Sequence, residues 1–221
     1  MTHDEILKNI YEETMVGNAP AVLALTKQGL EEGLTPSQLL FDALIPSLEE
    51  VGARFERGDY FVPEMLIAGK AMSGALDVLR PLLAETGAET VGTFLMGTVK
   101  GDVHDIGKNL VNIMLEGAGF HVIDIGVQSP PEKFIAGIEE HNPDIVGMSA
   151  FLTTTMPMFK ANINAIEKAG YRDKVIIMVG GAPVTQEYAD VCGADGYAAD
   201  AATAVRLAKQ LILAKRTDAK V

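Results

Sequence analysis

The hydrophobic period of this chain changes near residue 88, and that change decides its architecture. Beyond that point, short apolar runs alternate with segments of helical period. The pattern predicts strands at 90–96, 120–125, 144–148, 174–179 and 195–198, and helices at 106–118, 131–140, 156–169, 184–191 and 200–214. Strands that each lead into a helix read as a doubly wound parallel sheet, because parallel neighbours need a crossover long enough to hold one.

Before residue 88 the period is helical throughout. Residues 3–16 form an amphipathic segment with Ile6, Ile10 and Met15 facing inward. Asn18 caps a second helix that carries Pro20 in its first turn and ends before Gly33. Thr35-Pro36-Ser37-Gln38 reads as a capping box opening a third helix, with Leu39, Leu40, Ala43, Leu44, Leu48 and Val51 at helical spacing. Pro46 is expected to kink that helix. After a turn at Gly58-Asp59, Pro63 opens a fourth helix bearing Met65, Leu66, Met72, Leu76, Leu79 and Leu83. Residues 1–87 are therefore expected to form a four-helix bundle and residues 88–221 an α/β domain, linked by Glu85–Glu89. The tail Lys215–Val221 is expected to fray.

The net charge of −12 disfavours both nucleic acid and an anionic membrane surface as partners. The opening residues, Met-Thr-His-Asp-Glu-Ile, lack the basic and apolar regions of a signal peptide. No apolar run approaches the ~18 residues that span a bilayer, so a soluble cytoplasmic protein is expected. Cys192, alone in the chain, excludes an intramolecular disulfide and a multi-cysteine metal site.

Chemistry concentrates at the ends of the strands. Residues 97–107 read Gly-Thr-Val-Lys-Gly-Asp-Val-His-Asp-Ile-Gly, between the first strand and its helix. Open α/β sheets bind ligands at that end. Asp102 beside His104 is what a metal site uses: one ring nitrogen binds the metal while the other donates to a carboxylate. The competing reading is a polar turn with an incidental histidine. After the third strand, Ser149, Thr153, Thr154 and Thr155 give more hydroxyls than one helix cap needs, and the surplus can line a polar slot. Gly180-Gly181 follows the fourth strand and either makes a tight turn or lets a bulky group lie against the backbone. The fifth ends in Gly196-Tyr197-Ala198-Ala199-Asp200, again with small residues. His3, His121 and His141 have no such neighbours and read as incidental.

Asp102-x-His104-x-x-Gly107, then Ser149 through Leu152 to Thr153, then Gly180-Gly181 resemble in order and spacing the cobalamin-binding domain of methionine synthase and its relatives. Phe55-Glu56-Arg57-Gly58-Asp59-Tyr60-Phe61-Val62-Pro63-Glu64 resembles a signature of that family's helical cap. The resemblance covers nearly the whole chain. With these two domains and no catalytic module, the chain looks like the small corrinoid proteins of anaerobic methyltransferase systems, which serve methylamines, methanol, betaines or aryl methyl ethers. It implies a four-helix cap followed by a flavodoxin-like (Rossmann-type) five-stranded sheet.

Carried over by position, the resemblance makes His104 the lower axial ligand to cobalt, with Asp102 holding its far nitrogen. Thr155 stands where the family's relay carries a serine, keeping the hydroxyl and adding a methyl. Ser149 and Thr153 would contact the displaced nucleotide tail of the cofactor, and Gly180 and Gly181 would line its slot. Phe55, Val62, Met65 and Leu66 match positions covering the upper corrin face, with bundle core as their competing role. Val103, Asp105, Ile106, Gly107, Gly126, Val127, Leu152, Ala182, Tyr197 and Ala199 complete the implied cofactor surface.

The implied function is a methyl shuttle of one-carbon metabolism, not catalytic by itself. The cofactor would be cobalamin or a related corrinoid, methylcobalamin in turnover. Cobalt(I) would take a methyl group through a substrate:corrinoid methyltransferase, giving methyl-cobalt(III). A second methyltransferase would pass it to an acceptor such as tetrahydrofolate or a thiol, and a reductive activase would restore the cobalt. The cap would exclude water and oxidants and swing aside for the partners. Two alternatives share the histidine motif. A cobalamin-binding subunit of an adenosylcobalamin-dependent mutase needs no such cap, and a cobalamin-sensing regulator needs a DNA-binding module absent from this sequence. A cofactor-free receiver domain is weaker still, because no acidic phosphorylation pocket is evident at these strand ends.

Overall fold

The computed structural model describes residues 1–86 and 90–218, so most of the expected linker at 85–89 lies outside the described residues. The chain divides into two compact units, one of Met1–Thr90 with Glu116–Gly119, the other of Val91–Leu115 with the residues from Phe120 onward.

The first unit is helical: α1 (His3–Met15), α2 (Ala19–Glu31), α3 (Pro36–Gln38), a π-helical stretch (Leu39–Leu44), α4 (Ile45–Arg57) and α5 (Val62–Thr86). Its boundaries follow local chemistry. Thr35 and Gln38 form the capping box, Asn18 accepts the Ala21 N–H, and Gly58 ends α4 in the left-handed region at φ +80°. Thr2 and Glu5 form a second box that opens α1. Ile6, Ile10, Met15, Leu39, Leu44, Val51, Met72 and Leu79 are buried, as the period requires. At Pro46, where a kink is expected, the helix changes register. Proline has no N–H to give to Asp42, and the turns before it widen so that Ile45 donates to Leu40 five residues back.

The second unit is a five-stranded, all-parallel sheet in the order β2-β1-β3-β4-β5, with a helix after each strand. The strands are β1 (Thr93–Thr98), β2 (His121–Asp124), β3 (Ile145–Ser149), β4 (Ile176–Gly180) and β5 (Gly196–Ala198). The helices are α6 (Ile106–Gly117), α7 (Pro131–His141), α8 (Pro157–Lys168), α9 (Gln186–Cys192) and α10 (Ala201–Asp218). This is the flavodoxin-like order, in which the winding reverses between β1 and β3 and opens a crevice beyond their carboxyl ends. Thr98 is in register with Ser149, Ser149 with Gly180, and Gly180 with Ala198, so the strand ends form one row.

Two expectations are corrected here. Strand β1 runs on through Gly97 and Thr98, which pair with Met148 and Ser149 of β3, and a side chain at Gly97 would collide with Ile125 and Phe134. Its glycine marks close packing inside a strand, not the start of the turn. The tail does not fray from Lys215: α10 continues to Asp218, with Arg216 donating to the Val91 carbonyl at 3.0 Å and Lys215 to that of Lys174. Residues 219–221 lie outside the described residues. Among the described residues, no helix is long and apolar enough to cross a membrane.

Candidate functional site

The β1/β3 crevice holds the Asp102 and His104 loop. Val99 continues the β1 direction by donating to the Ser149 carbonyl, and Gly101 reverses the chain in the left-handed region at φ +84°. Asp102 then points inward and is fully buried. One carboxylate oxygen, Oδ1, accepts the backbone N–H of His104 at 3.0 Å and lies 3.0 Å from its ring Nδ1. The other, Oδ2, accepts the N–H groups of Phe151 at 2.7 Å and Leu152 at 3.3 Å, and the Thr155 hydroxyl at 2.8 Å.

Burial pushes the Asp102 carboxyl up, but these donors, led by the N–H groups of Phe151 and His104, outweigh it and hold the group far below the usual carboxylate range. An ionised carboxylate can only accept, so Nδ1 of His104 is the donor to it and Nε2 is the ring nitrogen left to face outward. The His104 side chain is 47% exposed, and it stacks on Phe151 with centroids 4.2 Å apart. Thr98, buried at the end of β1, donates to the His104 carbonyl at 3.0 Å and fixes the loop from below.

Around the imidazole the surface is apolar and open. Val103, Ile106, Phe151 and Leu152 are 41–64% exposed, an unusual density of large apolar side chains beside a histidine. Residues Val103 through Gly107 are all exposed, and nothing lies within 4 Å of where a side chain on Gly107 would stand. No group of three His, Cys, Asp or Glu suited to a metal occurs among the described residues. A metal held by His104 must bring its other ligands with it.

The matches to known families decide between the readings. Residues 92–206 match the B12 binding domain, and residues 6–80 match a second B12 binding domain model. The chain belongs to the B12-binding corrinoid proteins. It is 42% identical over 213 residues to the dimethylamine corrinoid protein of Methanosarcina barkeri, covering 96% of this chain and 100% of that one. It is 36% identical over 210 residues to a corrinoid protein of Desulfitobacterium hafniense, covering 94% and 97%. Among solved structures, it resembles the methanol:cobalamin methyltransferase complex MtaBC of M. barkeri, with TM-score 0.83 at 29% identity over 95% of this chain and 80% of that one. A cobalamin-binding protein of D. hafniense matches with TM-score 0.68 at 26% identity, over 95% and 98%.

This corrinoid protein therefore binds cobalamin or a related corrinoid, and its residues fit that group. A planar macrocycle supplies the remaining metal ligands and covers apolar surface, which a lone imidazole among exposed apolar side chains calls for. The residues expected to line a slot lie on or just beyond the same row of strand ends. Ser149 is half-buried, Thr153 is exposed and Thr155 is buried. Gly181 stands at φ +131°, with a Cβ there 1.9 Å from the Ala150 carbonyl oxygen, and a Cβ on Gly180 would meet the Ala198 carbonyl at 2.9 Å. Ala182 and Ala199 are exposed, whereas Tyr197 packs against the core of its unit. Gly126 lies at φ +79° with Val127 half-buried beside it, in the turn after β2.

In the helical unit, Phe55, Val62 and Leu66 are half-buried, and Met65 is 1% exposed and belongs to the interior. Phe61, inside the signature stretch but outside the expected contact set, is 66% exposed. Sequence reasoning also passed over Phe151 and Thr98, whose roles arise from contacts between distant segments. Of the other histidines, His3 lies 2.9 Å from the Glu32 carbonyl and His141 3.7 Å from Glu140.

Proposed function

We propose that this corrinoid protein is the methyl carrier of a methyltransferase system, with His104 as the residue that would ligate its cobalt. The observation that carries the reading is the buried Asp102 carboxylate at 3.0 Å from His104 Nδ1, which directs Nε2 outward at the β1/β3 switch point. When bound, the corrinoid supplies the chemistry, a cobalt centre able to accept a methyl group and give it up.

The chain's residues do the rest. Asp102 fixes the tautomer and angle of His104, and Thr155 fixes Asp102. Phe151 stacks on the ring and limits its swing, and with Val103 and Ile106 it would offer a bound corrin an apolar surface. Ser149 and Thr153 supply hydroxyls for the polar nucleotide tail, and Gly180-Gly181 give it backbone to lie against. Residues 1–87 act as the cap and residues 88–221 as the corrinoid-bearing domain. Within the helical unit, matched as a B12 binding domain over residues 6–80, Phe55, Val62, Leu66 and Phe61 are the side chains to which we assign the cap's protective role.

The partner is a substrate-specific methyltransferase, the kind of protein that accompanies its relatives. We place a methylated amine first among donors, since the relatives at about 40% identity are named for dimethylamine. A second methyltransferase would consume the methyl group and a reductive activase would reset oxidised cobalt. The test is reconstitution with hydroxocobalamin, reduction, and incubation with a dimethylamine methyltransferase and its substrate. The expected result is one cobalamin per chain and a methylated cofactor by its absorbance spectrum. Tight cobalamin binding with no methylation by any of the amine, methanol, betaine or aryl ether methyltransferases would refute the carrier role.

A further inference from the structure

Lys108 is buried in the first turn of α6, close in sequence to His104, and the methyl-carrier reading gives it no task. Its ammonium donates to the Asp124 carboxylate and, at 2.8 Å, to the Asn109 side chain. One turn further along α6, Asn112 Nδ2 reaches the same Asp124 oxygen at 3.1 Å. The other carboxylate oxygen of Asp124 accepts the Gly126 N–H at 2.7 Å. A single side chain at the end of β2 thus ties α6 to the turn that follows.

That turn leads back to the site at two points. The Gly126 carbonyl accepts the N–H of Thr98, whose hydroxyl holds the His104 carbonyl. Gln128, a non-glycine residue at φ +50°, donates its N–H to the Asp102 carbonyl at 3.0 Å. A left-handed glutamine persists only where its surroundings over-determine it, and such positions gather at functional loops. Burying an ammonium is costly unless it is paired, so a lysine retained here has a structural consequence that a surface lysine would not.

We propose that Lys108 is a positioning residue for His104. Paired with Asp124, it locks the turn 126–128 against α6, and the turn then sets Asp102 and Thr98 and with them the direction of the imidazole. The proposal rests on His104 being the cobalt ligand.

The experiment uses the full chain reconstituted with hydroxocobalamin and reduced to cobalt(II). Paramagnetic resonance of protein labelled with 15N-histidine, set beside unlabelled protein, then gives the fraction of cobalt whose nitrogen splitting changes with the label and is therefore bound by histidine. Lys108→Met and Asp124→Leu should lower that fraction and weaken cobalamin binding about tenfold. Asp124→Asn, which keeps an acceptor for Gly126, should fall between them and the parent. Arg172→Ala is the control: it breaks the ion pair to Asp195 in the same unit, and should lower the melting temperature while leaving the histidine-bound fraction unchanged. If Lys108→Met does not fold, Asn112→Ala removes a single donor to Asp124 and should show the same loss in milder form. A parent-like fraction in the folded Lys108 or Asp124 variants overturns the proposal, as does an equal loss in Arg172→Ala. A parent protein without any nitrogen splitting overturns the His104 reading itself and the proposal with it.

Discussion

Oδ1 of Asp102 receives both the backbone N–H and the ring Nδ1–H of His104, each at 3.0 Å. One buried oxygen therefore fixes the position of the residue and the tautomer of its ring together, and this is why the pair sits two residues apart.

Replacing Asp102 by asparagine should test that double duty. The new amide has one acceptor oxygen, so its NH2 must face either the His104 donors or the N–H groups of Phe151 and Leu152. Cobalamin affinity should fall about 10–100-fold, as for other groups that orient a metal-bound histidine. Equilibrium dialysis measures it, and a variant within twofold of the parent would show that Asp102 does not act through the ligand.

The polar slot makes a second comparison. Ser149→Val should weaken cobalamin binding by about 1–3 kcal/mol by leaving a polar group of the tail without a partner. Thr153→Val should act in the same direction. Thr185→Val should lower stability by about 1 kcal/mol, because Thr185 caps α9 through the Tyr188 N–H, yet leave binding unchanged. Equal losses of affinity at all three positions would reduce the slot to a stability effect.

Gly181→Ala should be severe. Its backbone is left-handed and an added Cβ would lie 1.9 Å from the Ala150 carbonyl oxygen, so strand β4 must shift against β3. The expected cost is about 1–3 kcal/mol or more, read by urea unfolding of the protein without cofactor. An unchanged midpoint would show that the turn can reposition freely.

Much of the α/β unit was legible because its signal is local and repeated. Five strand–helix periods required a parallel sheet, and capping residues such as Thr35 and Asn18 marked helix starts through bonds to residues three away. The Asp102–His104 pair was legible for the same reason. Phe151 was not, because it meets Asp102 across 49 residues and nothing around it in sequence points there. The Lys108–Asp124 pair was hidden in the same way: a lysine on a helix of alternating polarity reads as exposed until the β2 end is brought against it. The π-helical register before Pro46 has no composition signal beyond the proline itself, which equally permits a kink.

The helical unit makes a prediction in which two neighbours part company. Met65→Ala should cost about 2–5 kcal/mol of stability, since its side chain is in the core. Phe61→Ala, at an exposed position, should cost less than about 0.5 kcal/mol. It should nevertheless speed oxidation of the reduced cofactor, and Phe55→Ala should do so too. Stopped-flow oxidation of cobalt(I) decides this, and parent-like rates in both phenylalanine variants would remove the shielding role.

The central claim is that a nitrogen of His104 binds cobalt, and isotope labelling tests it most directly. Protein grown with 15N-histidine, loaded with cobalamin and reduced to cobalt(II), should show its nitrogen splitting change from three lines to two, and His104→Ala should show none. A three-line pattern unchanged by the label would mean that the cofactor's own base remains on the metal, and would contradict the account.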